Sequence, residues 1–274
     1  MIKKIIMMFI VFLVLIAGVI GFFYFEYTEG DDMNYEKIPP KSFSDIPTEK
    51  LNMISQKRIF FGHQSIGFNI MNGLARLNDA HESLNLNIVE TTDLTDQEGP
   101  VFAHAKLGKN LDPKSKVDDF VRIMKTGLKD KVDIAFFKFC YVDLRYDTDL
   151  EPVLDYYKSA MDQLKKECPN VTFFHTTVPL NLKTPGLKGF AKNFLGRDHN
   201  IKRSEYNRML RNVYDAKELF DLERFVSTYP DGRREKGGKN HYAIVPEYSS
   251  SGGHLNEKGQ DVIAVQLLDF LASL

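Results

Sequence analysis

The sequence has few cysteines, no surplus of either charge and no internal repeat. Its 274 residues include 2 cysteines, and 36 basic against 37 acidic side chains give a formal net charge of −1. Nucleic-acid-binding domains usually carry a basic face or stripe, and the lysines and arginines here are scattered. We therefore expect no nucleic-acid partner. The 43% of hydrophobic residues is typical of a globular chain with a sizeable core.

The two cysteines argue against both a disulfide and a zinc site. Cys140 ends the apolar run VDIAFFKFC, whereas Cys168 precedes the run VTFFHTT. If both runs are parallel strands, the two thiols lie at opposite edges of the sheet, beyond the ~7 Å that a disulfide can bridge. We expect two free thiols. No Cys/His pair has the spacing of zinc ligands, and no metal or organic cofactor is expected.

One long apolar run opens the chain. Residues 5–25 carry no charge, and as a helix at ~1.5 Å per residue they would span about 30 Å, the core of one bilayer. Small residues form only a poor cleavage site, which favours an uncleaved anchor over a cleaved signal sequence. Lys3 and Lys4 precede the run and acidic residues follow it, so the positive-inside rule predicts a cytoplasmic tail and an extracytoplasmic domain.

The remaining residues divide into a linker and a domain. We predict a tail and transmembrane anchor over 1–27, a polar, proline-containing stalk over 28–50, and a single domain over 51–274. In that domain, strands alternate with amphipathic helices, among them 66–78, a helix capped by Ser115, and a closing helix that follows GGHLNEKG. The predicted strands are RIFF, LNIVE, KVDIAFFKF, NVTFFHTTV and ELFDLE.

This alternation predicts a three-layer α/β/α fold with a doubly wound, mainly parallel five-stranded sheet. In such folds the functional site forms beyond the carboxyl ends of the strands. Four segments therefore meet at one rim: GHQS after the first strand, CYVD after the third predicted strand, HTTVP after the fourth, and SSSGGHLNEKG before the last helix. His104 falls in a predicted long loop that could line the pocket, and His175 in a strand reads as a core histidine.

Ser65 and His254 are the candidate catalytic pair. A serine where a strand turns into a helix exposes its hydroxyl near the N–H groups of the helix N-terminus, and it needs a base to take its proton. The alternative for Ser65 is a plain helix N-cap. Over about residues 55–274 the chain resembles the SGNH/GDSL hydrolase family in the order of its blocks, which are FFGHQS, a Gly/Asn loop, FKFCYVD and GGHLNEKG.

The resemblance implies an esterase site with some positions altered. GHQS stands where the family has Gly-Asp-Ser, and Ser65 rather than Gln64 is the predicted nucleophile because glutamine cannot attack. The resemblance implies that the N–H groups of Ser65 and Gly108 bind the oxyanion. The Asn side chain that the family uses as a further donor is missing here, and Asn110 is the predicted substitute. Ser251 occupies the position of the family's triad Asp. The carboxylate is then either Asp143, the predicted third catalytic residue, or Glu247, unless a Ser-His dyad acts alone.

We also predict substrate contacts from His63, Gln64 and Tyr141, with a structural role as the alternative for His63. The function expected is a membrane-anchored extracytoplasmic serine esterase that acts on acyl esters, such as acetyl esters, of envelope carbohydrate or lipid. Two alternatives stay open. One is an O-acyltransferase that uses the same Ser-His pair, and the other is a non-catalytic module that binds a glycan.

Overall fold

The computed structural model describes residues 2–29 and 37–274, and the side chains of 23–29 are outside this description. The helices are α1 Ile2–Glu29, α2 Thr48–Ser55, α3 Ser65–Ala80, α4 Pro113–Ile123, α5 Leu150–Glu167, α6 Gly186–Phe194, α7 His199–Val213, α8 Leu222–Val226 and α9 Glu257–Leu271. The strands are β1 Arg58–His63, β2 Ile88–Glu90, β3 Val101–Lys106, β4 Ile134–Phe137, β5 Thr172–Phe173, β6 His175–Thr176, β7 Leu219–Phe220, β8 Lys236–Gly238, β9 His241–Tyr242, β10 Ser249–Ser251 and β11 His254–Leu255.

The central sheet has five strands in the order β2-β3-β1-β4-β5, and all its pairings are parallel. Strand β1 comes first in sequence but lies in the middle of the sheet. Strands β2 and β3 lie on one side of it, and β4 and β5 lie on the other. This is the doubly wound arrangement that the alternating pattern predicted, and the predicted fold class is confirmed. Strand β1 is central, and the rim beyond its carboxyl end is the expected place for a site.

Both faces of the sheet are covered. Phe61 and Phe136 belong to the hydrophobic cluster that contains α3 and α9, whereas Phe60 and Phe137 belong to the cluster that contains α4 and α5. This division follows from the two-residue period of a strand, which turns successive side chains to opposite faces. The strands are apolar on both faces, as expected of a parallel sheet between two helical layers.

Two strand predictions were wrong although the count of five was right. VFAHAK, predicted as loop, is β3, and His104 lies within it. ELFDLE contributes β7, which pairs with β6 outside the five-stranded sheet. The predicted helix start at Ser115 is also wrong: α4 begins at Pro113, and the side chain of Asp112 accepts the Ser115 N–H as its N-cap.

The chain joins the domain before the predicted boundary at residue 51. Lys41 exchanges backbone hydrogen bonds with the side chain of Gln266 in α9, at 3.2 Å and 2.9 Å, and Ile46 is buried in the core cluster of α3 and α9. The part of the predicted stalk from Lys41 to residue 50 is therefore packed against the domain. Residues 30–36 of that stalk lie outside the described residues.

Helix α1 contains the apolar run. Residues Ile2–Phe22 have a mean hydropathy of 3.1 and none of their surface is buried. By length and composition this helix can cross a membrane, and a signal sequence at the N-terminus has the same features. The anchor therefore stays a prediction, as does the side of the membrane on which the domain lies.

Two predictions about single residues are confirmed. Cys140 and Cys168 are both buried free thiols. His175 is fully buried, accepts or donates a 2.7 Å hydrogen bond with the Tyr157 hydroxyl, and stacks on Tyr214 with ring centroids 3.4 Å apart. Burial lowers the pKa of His175 to about 3, so this core imidazole is neutral at physiological pH.

Candidate active site

Ser65 is the first residue of α3 and follows the turn that ends β1. Gln64, the N-cap residue, has an extended backbone with φ −132° and ψ −158°, which turns the chain sharply from strand into helix. The first N–H groups of a helix have no acceptor within the helix, so the Ser65 N–H is not used by α3. The Ser65 hydroxyl lies 3.8 Å from the Cys140 thiol, at the end of the neighbouring strand β4.

His254 lies on the same rim. It begins β11, directly opposite Ser251 of β10, after a two-glycine turn. A Cβ at Gly253 would lie 2.5 Å from the Asn181 Oδ1 and 2.9 Å from the Tyr141 ring, so only glycine lets the turn approach so closely. The imidazole then packs edge-on against Tyr141, with ring centroids 5.8 Å apart.

A hydrogen bond connects the His254 loop to the Ser65 helix. The Leu255 N–H donates to the Asn69 Oδ1 at 3.1 Å, and Asn69 lies one helical turn after Ser65 on α3. The nucleophile and base predicted from the sequence are therefore on adjoining segments. No hydrogen bond joins Ser65 to His254 in the part of the chain that the structure describes.

Asp143 does not orient His254, contrary to the predicted catalytic role. Its carboxylate forms a fully buried ion pair with Lys116 of α4. It also accepts the N–H groups of Cys140 at 2.6 Å and Leu111 at 3.0 Å. These partners use both oxygens, so Asp143 ties α4 and the β3–α4 loop to the loop after β4. Glu247, the other candidate, pairs with Lys258.

Gly108 and Asn110 are also engaged elsewhere. Gly108 has φ +46°, where glycine is favoured, and its N–H donates to the Asp119 carboxylate at 3.0 Å. This N–H is therefore not free to bind an oxyanion, as the resemblance had implied. The Asn110 Oδ1 accepts a 3.1 Å hydrogen bond from Lys116. Asn110 thereby helps to hold the same lysine that neutralises Asp143.

His63 has the structural role that was its alternative. It is fully buried, and its ring nitrogens contact the Gln64 carbonyl and the His104 Nδ1, each at 3.0 Å. Burial, together with the positive charge of Lys138, lowers the pKa of His63 to about 3. A neutral pair of imidazoles therefore lies under the rim and does not reach a substrate.

Gln64 is a positioning residue rather than an exposed substrate contact. Its Nε2 donates to the carbonyls of Leu107 at 2.6 Å and Gly108 at 3.0 Å. These bonds fasten the β3–α4 loop to the turn that carries Ser65. Tyr141 is half-buried next to His254 and remains the predicted substrate contact. Burial raises the pKa of its phenol, which favours the neutral, hydrogen-bonding form.

Sequence reasoning placed Cys140 at the rim without a role and missed two other polar side chains of this region, Asn181 and Lys138. Cys140 adjoins the Ser65 hydroxyl, and the buried Asn181 Oδ1 has no hydrogen-bond partner within the described residues. Lys138 is 1% exposed, and its Nζ likewise finds no partner among the residues described. A lysine inside the apolar run IAFFKFC was the available signal. The position of Asn181 depends on a distant loop, which no local pattern reveals.

The described residues contain no group of three or more His, Cys, Asp or Glu side chains that could hold a metal. The chemistry available at this rim is thus that of a serine hydroxyl, an imidazole and the N–H groups at the start of α3. Cys140 lies beside the Ser65 hydroxyl, and Tyr141 and Asn181 lie against the turn that precedes His254.

Comparisons with known proteins give likeness of fold. No protein-family model matches the chain, and no curated protein matches it. A member of the lipolytic G-D-S-L family from Veillonella parvula has 13% identity and a TM-score of 0.45, over 77% of this chain and 95% of that one. A protein from Lactobacillus plantarum has 16% identity and a TM-score of 0.47, over 79% and 97%.

A third similar structure is the periplasmic domain of a lipopolysaccharide acetyltransferase from Salmonella ser. Paratyphi A. It has 12% identity and a TM-score of 0.41, over 89% of this chain and 93% of that domain. The structure neighbours thus include the G-D-S-L family that the sequence motifs resemble. At these identities the likeness concerns the fold alone.

Proposed function

We propose that this protein is a serine esterase that acts through a Ser65–His254 dyad. The observation that carries the proposal is the Asn69–Leu255 hydrogen bond, because it holds the His254 loop against the first turns of the helix that Ser65 begins. A half-buried serine hydroxyl, an imidazole on the adjoining segment and the N–H groups at the start of α3 are the elements that acyl transfer requires.

The reaction follows from these groups. The Ser65 Oγ attacks the ester carbonyl while His254 accepts its proton. The oxyanion forms beside the Ser65 N–H and the positive end of α3. His254 then protonates the leaving alcohol, which breaks the ester bond and leaves an acyl-serine. Water, deprotonated by His254, releases the acid and restores Ser65. Among the described residues, no carboxylate forms a hydrogen bond with the His254 imidazole. The imidazolium therefore lacks the stabilisation that a triad carboxylate supplies.

The expected substrates are acyl esters, such as acetyl esters, of envelope carbohydrate or lipid. This part of the proposal rests on the apolar helix α1, which is long enough to cross a membrane. The two lysines before the apolar run favour a domain on the extracytoplasmic side. If a sugar hydroxyl replaces water in the second half of the reaction, the same dyad performs O-acyl transfer.

The test is hydrolysis of short-chain p-nitrophenyl esters by the full chain in non-ionic detergent. Ser65→Ala and His254→Ala should each abolish the activity. Two variants away from the rim are the matched controls. Ser55→Ala changes the half-buried serine that ends α2, and His81→Ala removes an imidazole that stacks on Phe43. Activity that survives in either rim variant contradicts the dyad. Addition of an oligosaccharide acceptor separates the two reactions, since a transferase forms acylated sugar at the expense of free acid.

A non-catalytic glycan-binding module is the second candidate, favoured by the lack of a carboxylate partner for His254. It predicts no hydrolysis of any ester but retained affinity for a glycan. Ser65→Ala would then leave that affinity unchanged, whereas Tyr141→Ala would weaken it.

A further inference from the structure

Helix α6 presents an apolar face to solvent. Its apolar side chains recur at intervals of three and four residues, which puts them on one side of the helix. We call this the α6 face, and it consists of Leu187, Phe190, Ala191, Phe194 and the following Leu195. Leu187 is 69% exposed, Phe194 67% and Leu195 60%. Single exposed apolar side chains are common on proteins, but a cluster of this kind marks an interaction surface.

The segment that carries the α6 face is strongly basic in sequence. Residues 183–197 contain Lys183, Lys188, Lys192 and Arg197 and no acidic residue. The segment thus has a formal charge of +4 in a chain whose net charge is −1. An apolar helix face bordered by lysines and arginines is the pattern of helices that lie in the interface of an anionic bilayer.

The N-terminal helix reaches the domain on this side. Helix α1 contacts α6. Lys37, the first described residue after α1, lies against Gly232, and Gly238 lies against Asn193 of α6. The segment 232–238 therefore connects the place where the chain enters the domain with the α6 face.

Chain length restricts how the domain can meet a membrane that α1 crosses. Eight residue steps separate Glu29 from Lys37, which is at most about 29 Å of extended chain at ~3.6 Å each. A domain of this size has a radius of gyration of about 18 Å and is roughly 45 Å across. The tether is shorter than the domain, so the side that contains Lys37 and α6 faces the bilayer.

We propose that the α6 face docks on an anionic lipid bilayer. Leu187, Phe194 and Leu195 enter the boundary between headgroups and acyl chains, and Lys188, Lys192 and Arg197 contact lipid phosphates. This surface adjoins the candidate site, because Leu182, four residues before α6, donates a 2.7 Å hydrogen bond to the Gly252 carbonyl beside His254. On the proposed function, docking holds the rim next to acylated headgroups.

The sequence contains no tryptophan, so one introduced tryptophan reports its own surroundings. Phe194→Trp in the full chain is reconstituted in phosphatidylcholine vesicles with or without phosphatidylglycerol. Both vesicles contain lipid brominated near the top of the acyl chains, where a docked face lies ~5–10 Å deep. The control is Met53→Trp. Met53 is 63% exposed on α2, at the end of the sheet where β1 begins and opposite the rim.

We expect the fluorescence of Phe194→Trp to shift to shorter wavelength and to be quenched in anionic vesicles. Met53→Trp should remain unquenched, and adding Lys188→Glu and Lys192→Glu should reverse the effect. Any of three results overturns the proposal: equal quenching of the two tryptophans, equal quenching with and without anionic lipid, or quenching that depends on protein concentration, as contact with a second copy of the chain would. Ser65→Ala added to Phe194→Trp keeps the quenching, so a loss of docking and a failure of the dyad are read separately.

Discussion

Lys138→Met should make the domain more stable. The Lys138 side chain lies in the interior at the end of β4, and its Nζ has no hydrogen-bond partner among the described residues. An unsatisfied buried polar group destabilises a protein by about 1–3 kcal/mol. Methionine keeps most of the stem and removes the amine, so we expect the free energy of unfolding to rise by about 1–3 kcal/mol at neutral pH.

The gain should depend on pH with a defined sign. Burial lowers the pKa of Lys138 below its ordinary value of 10.5, so the unfolded chain binds this proton more readily than the folded one. Stability of the unaltered protein therefore rises with pH between the folded-state pKa and 10.5. The advantage of Lys138→Met is largest below that interval and falls, near its upper end, to the cost of burying the neutral amine without a partner.

The measurement is urea unfolding of the full chain in non-ionic detergent, followed by near-ultraviolet circular dichroism of its 12 tyrosines and 21 phenylalanines. Lys129→Met, at an exposed position, is the matched control and should change stability by less than about 0.5 kcal/mol. If Lys138→Met lowers stability at neutral pH, the amine has a partner in solution, such as a buried water, and the reasoning fails.

Three further variants test the rim. Ser251→Asp puts a carboxylate directly opposite His254 and should raise kcat about tenfold or more by stabilising the imidazolium, measured with a p-nitrophenyl ester; an unchanged kcat contradicts the cross-strand geometry. Gly253→Ala adds a methyl group against Asn181, and a displacement of ~1 Å should reduce kcat about 10²-fold with little change in the urea midpoint. Lys116→Met leaves the Asp143 carboxylate buried without its cation and should lower the unfolding free energy by about 3–5 kcal/mol; a loss below about 1 kcal/mol would mean that Asp143 is already neutralised another way.

The sequence predicted those parts of the fold that local patterns determine. Helical periodicity located α3 and α9, and apolar runs located β1 and β4. VFAHAK was missed because a histidine and a lysine interrupt an otherwise apolar stretch, and because burial of His104 depends on its bond to His63 of the neighbouring strand. The cap of α4 was misplaced because Asp112 and Ser115 have similar capping preferences.

The candidate site was predictable where it follows directly from strand ends. Ser65 and His254 could be located because they flank regular elements. The roles of Asp143 and Gly108 could not, since their partners Lys116 and Asp119 come from α4. Contacts between segments far apart in sequence decide which carboxylates and N–H groups remain free. A single sequence does not reveal these contacts.

The neutral imidazoles of His63 and His175 make the folded domain a poor buffer. Both have a pKa of about 3 when folded against an ordinary value of 6.5, so unfolding takes up protons throughout that interval. Acidification from pH 6.5 towards 3 therefore weakens the fold, by up to about 1.4 kcal/mol per pH unit for each histidine. Thermal melts at falling pH measure this slope. In an acidifying medium these two imidazoles therefore take up their protons more readily in the unfolded chain than in the folded one.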